Sequence, residues 1–185
     1  MPEHNNSTTF SDIIRTERLC LKSITDKDAD GAIDILTSKD VAKTFILPEF
    51  KSREEAEKLF CIIMDRSYQK DRFVYGVYLG ERIIGFINDV EMTESEIELG
   101  YVIHPNEKSK GYATEVLAAS IKELLLAGYK KVKAGAFEDN PASMRVMEKC
   151  GMTRSYSDED IEYRGEIRHC INYELKLQDE NDENR

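Results

Sequence analysis

The chain has 185 residues, of which 41% are hydrophobic and 34% charged, and its formal net charge is −10. That length suits one domain with a substantial core. The acidic balance excludes nucleic acid as the main partner, because phosphate backbones need a basic footprint. No apolar run approaches the ~20 residues that cross a bilayer, and the start MPEHNNSTTFSD lacks the basic-then-apolar order of a secretory signal, so no membrane partner and a cytoplasmic setting are expected. Cys20, Cys61, Cys150 and Cys170 form no CxxC, and with His4, His104 and His169 as the only histidines no zinc set emerges. The cysteines read mostly as reduced core or near-core thiols, and no metal is expected.

In chain order, residues 1–12 read as a flexible polar leader. Leu19 to Ile24 alternate as a first strand, and Thr25 and Asp26 offer a cap for a helix from Asp28 to Leu36. Ser38 to Phe45 suggests a short further helical piece. Ser52-Arg53-Glu54-Glu55 has the form of a capping box, with Ala56, Leu59, Phe60 and Ile63 at helical spacing behind it, predicting a helix from Ser52 to about Gln69. Phe73 to Leu79 and Arg82 to Val90 are predicted strands joined by a Gly80-Glu81 hairpin turn. Ile97, Leu99, Tyr101 and Ile103 alternate in the next strand, which puts Glu96, Glu98 and Gly100 on its other face. A helix follows from Gly111 to Ala127, stopped by Gly128, then a strand from Lys130 to Phe137. The last helix starts at Asn140 (N-cap) and Pro141 (first position) and stops at Gly151. Ser155 to Asp160 and Arg168 to Lys176 can form a terminal antiparallel pair, and the acidic residues 178–185 read as a disordered tail. The alternation describes one α/β (α+β) domain over residues 13–177. Its mixed, mostly antiparallel twisted sheet has about six or seven strands flanked by about four helices.

The charge is unevenly spread. Asn106 to Lys133 holds six lysines against three glutamates, whereas acid concentrates at Asp89 to Glu98 and Asp158 to Glu166. Solvated surface charge is the ordinary explanation; the sharper alternative is a basic side for a polyanion and an acidic side for a cationic substrate. Within the basic stretch, the segment His104-Pro105-Asn106-Glu107-Lys108-Ser109-Lys110-Gly111 has the form of an anion-holding loop. It joins a strand to a helix N-terminus, where peptide N–H groups lack intrahelical partners and the helix dipole favours an anion. Gly111 permits close backbone approach, and Lys108 and Lys110 supply countercharge. No Gly-x-x-x-x-Gly-Lys-Ser/Thr occurs, so a nucleoside-triphosphate loop is disfavoured.

Four segments, in this order, resemble the Gcn5-related N-acetyltransferases: Thr16-Glu17-Arg18-Leu19-Cys20-Leu21, Glu98-Leu99-Gly100-Tyr101, Lys108-Ser109-Lys110-Gly111-Tyr112-Ala113, and Asn140-Pro141-Ala142-Ser143 through Glu148-Lys149-Cys150-Gly151. The first two are similar to the RimJ/RimL-type branch that acetylates ribosomal-protein N-termini. The resemblance implies acetyl-CoA as co-substrate and a primary amine as acceptor, either a protein N-terminus or a small-molecule amine or amino-acid derivative. It implies direct attack in a ternary complex, by a monomer or homodimer. Its pyrophosphate would sit on Lys108, Ser109, Lys110, Gly111, Tyr112, Ala113 and Thr114, and its pantetheine arm would pair beside Val102 and Ile103, with Asn140, Ser143 and Lys149 completing the binding set.

Transfer to an amine needs a base, since a protonated alkylamine with a pKa near ~10 is not nucleophilic. Glu98 is the first candidate, with Glu96 and Asp89 as weaker versions of the same idea and a surface or charge-pairing role as the alternative. Asn140 is sufficiently explained as an N-cap, and the family's contact to the cofactor arm is compatible with that. Ser143 can reach the thioester sulfur or simply satisfy backbone. Relatives place a tyrosine acid seven residues after the asparagine; here that residue is Met147, which donates no proton. Ser143, water or another tyrosine such as Tyr156 can take the role, or the thiolate leaves unassisted. Lys108 stands where Arg or Gln is usual and Ser109 where Gly is common. Tyr101, Tyr112, Val116, Leu117 and Leu124 read as core. The alternatives to an acetyltransferase are a non-catalytic acyl-CoA-binding module and an enzyme using another acyl group.

Overall fold

The computed structural model describes residues 9–176. One nine-stranded sheet runs through them, with the spatial order β1-β2-β3-β4-β5-β6-β9-β7 and β8 also paired to β9. The first half comprises β1 (Ile13–Arg15), β2 (Cys20–Lys22), α1 (Ala29–Thr37), α2 (Lys39–Ala42), α3 (Arg53–Arg66), β3 (Val74–Leu79), β4 (Arg82–Met92) and β5 (Glu96–Ile103). The second half comprises α4 (Tyr112–Leu126), β6 (Lys131–Phe137), α5 (Pro141–Lys149), β7 (Thr153–Arg154), β8 (Glu159–Tyr163) and β9 (Glu166–Lys176). Every pairing is antiparallel except β5 with β6.

Both faces of the sheet are covered. Ile97, Leu99 and Ile103 join a cluster with Val116, Leu117, Leu124 and Met147 from α4 and α5. Phe86 and Val102 join a second cluster with Ile33, Leu36, Ala56 and Phe60 from α1 and α3. The α4 stop is Gly128 with φ 88°, and the α5 stop is Gly151 with φ 82°, both in the left-handed region that favours glycine. Asn140 caps α5 by accepting the Ser143 N–H at 3.3 Å.

Several expectations need correction. β1 was not foreseen, and with the terminal pieces it brings the sheet to nine strands and the helices to five. Phe10 does not belong to a polar leader: it is buried edge-on against Phe73, with ring centroids 5.1 Å apart. The rest of the leader up to residue 8 and the acidic tail lie outside the described residues. The box expected at Ser52 is displaced, because Glu55 accepts the N–H of Lys51 at 2.8 Å rather than that of Ser52. Ser155 to Asp160 is not one strand. Tyr156 takes φ 57°, which breaks the extended run, and Asn172 holds the resulting loop by donating to the Ser157 carbonyl at 2.7 Å. All four cysteines are free thiols; Cys170 is buried, Cys20 and Cys150 are partly buried, and Cys61 is exposed. Among the described residues no helix is long and apolar enough to cross a membrane.

Candidate active site

The site follows from an incomplete pairing in mid-sheet. β5 and β6 pair only over Glu96↔Lys131, Ile97↔Val132 and Glu98↔Lys133. Both strands then continue apart, β5 to Ile103 and β6 to Phe137. The β4–β5 register slips between Asp89 and Glu91, a bulge at Val90 opposite the stretch where β5 begins to leave β6. His104 donates its N–H to Ile84 in β4 at 2.7 Å. Peptide groups alternate along a strand, so those of Leu99, Tyr101 and Ile103 face the gap. Glu96 pins the closed end by pairing with Lys131 at 2.8 Å and Lys133 at 2.6 Å, and those bonds hold its pKa down at about 2.

Two cavities meet in the gap. The first, of about 380 Å³, runs along Val102 and Ile103 to the loop at Lys108 and Ser109 and the first turns of α4 and α5. The second, of about 430 Å³, lies towards α3 and β8 and is lined by Glu98. Thr44, Phe45, Leu99, Gly100 and Gly135 border both, so they form one slot through the sheet with its waist at the splay.

The first cavity ends in a built anion cradle. The first intrahelical bond of α4 runs from the Glu115 N–H to Gly111, leaving the N–H groups of Tyr112, Ala113 and Thr114 without helical partners on the cavity wall. Gly111 has φ 83°, and Ser109 has φ 62°; the latter conformation is the one glycine would adopt without strain. The loop is tied down from two sides. Buried Glu107 accepts from Arg82 at 2.7 Å and from Lys110 at 2.8 Å, and the Lys110 bond, then the Arg82 bond, lower its pKa. On the other side Glu115 accepts from the Thr16 hydroxyl at 2.5 Å, the Arg18 N–H at 2.8 Å and Arg18 Nε at 2.7 Å. Arg18 also donates to the Lys110 carbonyl at 2.9 Å and lies 4.7 Å over the Tyr112 ring. The Thr16 to Leu19 segment therefore serves as a brace for the cradle.

The expected binding residues separate accordingly. Val102, Ile103, Lys108, Ser109, Gly111, Tyr112, Ala113, Thr114, Asn140, Ser143 and Lys149 all border the first cavity. Lys110 does not, since its ammonium is bound to Glu107. Arg145, not anticipated, borders it too. Its signal was present in the spacing, because Ala142, Arg145, Val146 and Lys149 fall on one helical face. Lys108, Arg145 and Lys149 have no ion-pair partner among the described residues.

Near the waist, the Tyr101 and Ser143 hydroxyls stand 2.8 Å apart, and burial pushes the Tyr101 pKa up to about 12. Tyr101 is thus not simple core packing. Met147 is: it is wholly buried between α5 and the sheet, so position 147 faces away from the slot. Tyr156 is 84% exposed and borders neither cavity.

On the other side, Glu98 is half-buried and without a hydrogen bond or ion pair among the described residues. Burial raises its pKa, as do the neighbouring carboxylates Glu159 and Glu91, with Lys133 opposing. Asp89 also borders this cavity, but it accepts the Phe73 N–H at 2.9 Å and pairs with Arg72, which makes it a strand clamp. Its pKa is raised because burial outweighs Arg72. Glu96 is committed to two lysines. Of the three carboxylates considered, only Glu98 is at hand for chemistry. Among the described residues no group of three or more His, Cys, Asp or Glu could hold a metal.

Comparisons with known proteins identify the family and the fold. An acetyltransferase (GNAT) domain model matches residues 18–153. The uncharacterized N-acetyltransferase YoaA of Bacillus subtilis is 27% identical over 147 residues, covering 77% of this chain and 83% of YoaA. A GNAT-family acetyltransferase structure from Bacillus anthracis superposes with a TM-score of 0.76 at 24% identity, covering 89% of this chain and 98% of that one. RimL, a ribosomal L7/L12 α-N-protein acetyltransferase solved with coenzyme A, gives a TM-score of 0.75 at 15% identity over 89% of this chain and 98% of its own. Those two likenesses establish the fold. The chain belongs to the GNAT acetyltransferase family, and it is an N-acetyltransferase.

Proposed function

We propose that the protein transfers an acetyl group from acetyl-CoA to a primary amine by direct attack within a ternary complex. The observation that carries this reading is the two-sided slot, with free cations and orphan N–H groups at one end and an unpaired carboxylate beyond the waist. Acetyl-CoA supplies an activated thioester when bound. The N–H groups of Tyr112 to Thr114, with Lys108, Arg145 and Lys149, would hold its phosphates. The open edge of β5 from Leu99 to Ile103 would hold its arm as an added strand, and that RimL has been solved with coenzyme A supports the fit.

On the acceptor side Glu98 takes a proton from the ammonium, directly or through water, exposing the nitrogen lone pair at the waist. As the new C–N bond replaces the C–S bond, the departing sulfur gains a proton from the Ser143 hydroxyl. Tyr101 shares that proton through its 2.8 Å contact. Glu98 passes its first proton to solvent and accepts the second as the nitrogen becomes an amide, and the hydroxyl pair recovers its proton from solvent, so the ammonium's two lost protons balance one on the thiol and one released. The missing tyrosine at position 147 leaves this route intact. The test is incubation with isotopically labelled acetyl-CoA and a broad amine panel, read by mass spectrometry alongside thiol release. Labelled amide is the expected product; CoA binding without any acetylated amine refutes the reading.

A further inference from the structure

The acceptor cavity is mostly apolar, walled by Phe45, Leu47, Phe86, Leu99, Phe137 and Ile161. Three carboxylates interrupt that wall. Asp89 is neutralised by Arg72, and the exposed Arg66, the one cation on the wall among the described residues, directs its field onto Asp89 as well. Glu98 and Glu159 are left without ion-pair partners among the described residues, one half-buried near the waist and one exposed on β8. Lys133, the nearest cation to Glu98 on β6, is bonded to Glu96.

We infer that the acceptor is a primary amine borne on a compact apolar group with no free carboxylate beside the amine, and that Glu159 is the specificity-determining residue that enforces this choice. The inference rests on the acetyl-transfer reading above and narrows its acceptor. An ammonium entering the cavity is drawn by both carboxylates, and its apolar body replaces water on the wall. A carboxylate on the carbon next to the amine would lie beside Glu98 and Glu159 in a cavity of low polarity, and Arg66 faces Asp89 rather than that pair. Selection then works by repulsion of the wrong acceptor as much as by attraction of the right one. A cavity of about 430 Å³ is of the size that encloses one compact ligand. Masking the carboxyl in a peptide bond removes the repulsion, so a simple amine and a peptide N-terminus share the accepted chemistry.

The decisive pair is 3-methylbutylamine and leucine, which differ by the carboxylate alone. The amine is at least as basic as leucine, so ease of deprotonation does not produce a preference for it. With the full chain and acetyl-CoA, kcat/KM for 3-methylbutylamine is expected to exceed that for leucine by about tenfold or more. Glu159→Gln lowers this ratio severalfold and Glu159→Asp retains it, a pattern that a merely structural role for Glu159 would not produce. A leucine-initiated peptide amide used as well as 3-methylbutylamine assigns the site to peptide N-termini; rejection of the peptide assigns it to small amines. Equal use of leucine, or a ratio unchanged by Glu159→Gln, overturns the inference. Should no amine be acetylated, calorimetric titration into the CoA-bound protein separates the two readings. Binding of 3-methylbutylamine but not leucine sustains the selection while acetyl transfer fails, and binding of neither overturns the selection.

Discussion

Glu115→Gln tests whether the brace at the start of the chain sets donor affinity. The glutamine oxygen can still accept from the Thr16 hydroxyl and the Arg18 N–H, but its amide would point N–H groups at the Arg18 guanidinium. Lost are the charge-assisted contacts at 2.7 Å and 2.6 Å. The Arg18 side chain is 42% exposed, so solvent screens part of that loss, and about 1–2 kcal/mol of stability disappears. For a chain of this size that lowers Tm by roughly 2–8 °C. Freed from Glu115, Arg18 also loosens its hold on the Lys110 carbonyl and the Tyr112 ring, so part of the energy of ordering the cradle moves onto ligand binding. Coenzyme A affinity falls about three- to tenfold. Burial alone would raise the Glu115 pKa, but the Thr16 and Arg18 bonds outweigh it and the net shift is downward. Its contribution is therefore full above the ordinary carboxylate range and is lost as pH falls through the depressed value. The stability gap between variant and wild type narrows in acid. Urea denaturation at two pH values and calorimetric titration with coenzyme A measure both effects. A stability loss with unchanged affinity would refute the coupling of brace to cradle.

Glu98→Gln reduces kcat/KM by about 10²–10⁴ and abolishes the acidic limb of the pH–rate profile. In the wild type that limb lies above the ordinary carboxylate range, because the base works deprotonated and its pKa is raised; a limb that survives the substitution removes Glu98 as base. Ser143→Ala and Tyr101→Phe each lower kcat about tenfold with little change in the acetyl-CoA KM, and the double variant is no worse than the poorer single one. Additive losses would mean that the two hydroxyls act separately. Gly85→Ala would place a Cβ 2.2 Å from the Val102 carbonyl oxygen, a backbone atom that cannot rotate away. It costs about 2–4 kcal/mol by forcing β4 from β5, and a chemical denaturation midpoint within error of wild type would contradict that packing.

Much of the fold was legible because local signals agreed with each other. Glycine stops, the Asn140 cap and the alternation in β5 each fixed an element from a few neighbouring residues. β1 escaped because three residues, Ile13 to Arg15, carry too short a pattern, and Phe10 because its burial depends on Phe73 and Tyr129, distant in sequence. The cradle residues stood out because an anion site at a helix N-terminus is local. Lys110 shows the limit of a local reading: its charge was visible, its engagement with Glu107 was not. Tyr101 looked like one more apolar residue in an alternating strand until α5 brought Ser143 against it. Thr44 and Phe45 gave no sign at all, since only the tertiary fold brings their loop to the waist of the slot.

The three-residue parallel ladder between β5 and β6 has a mechanical consequence. It divides the sheet into two antiparallel blades, β1 to β5 and β6 to β9, joined along a seam of only three residue pairs. Glu96 rivets the closed end of that seam with two lysines, and among the described residues no ion pair spans the open end. On the proposed reading, a donor molecule lying along β5 would fill the missing rungs and so act as a temporary structural member. Hydrogen exchange of the Leu99, Tyr101 and Ile103 amides slows when it binds, and the blades regain their freedom each time the spent donor departs.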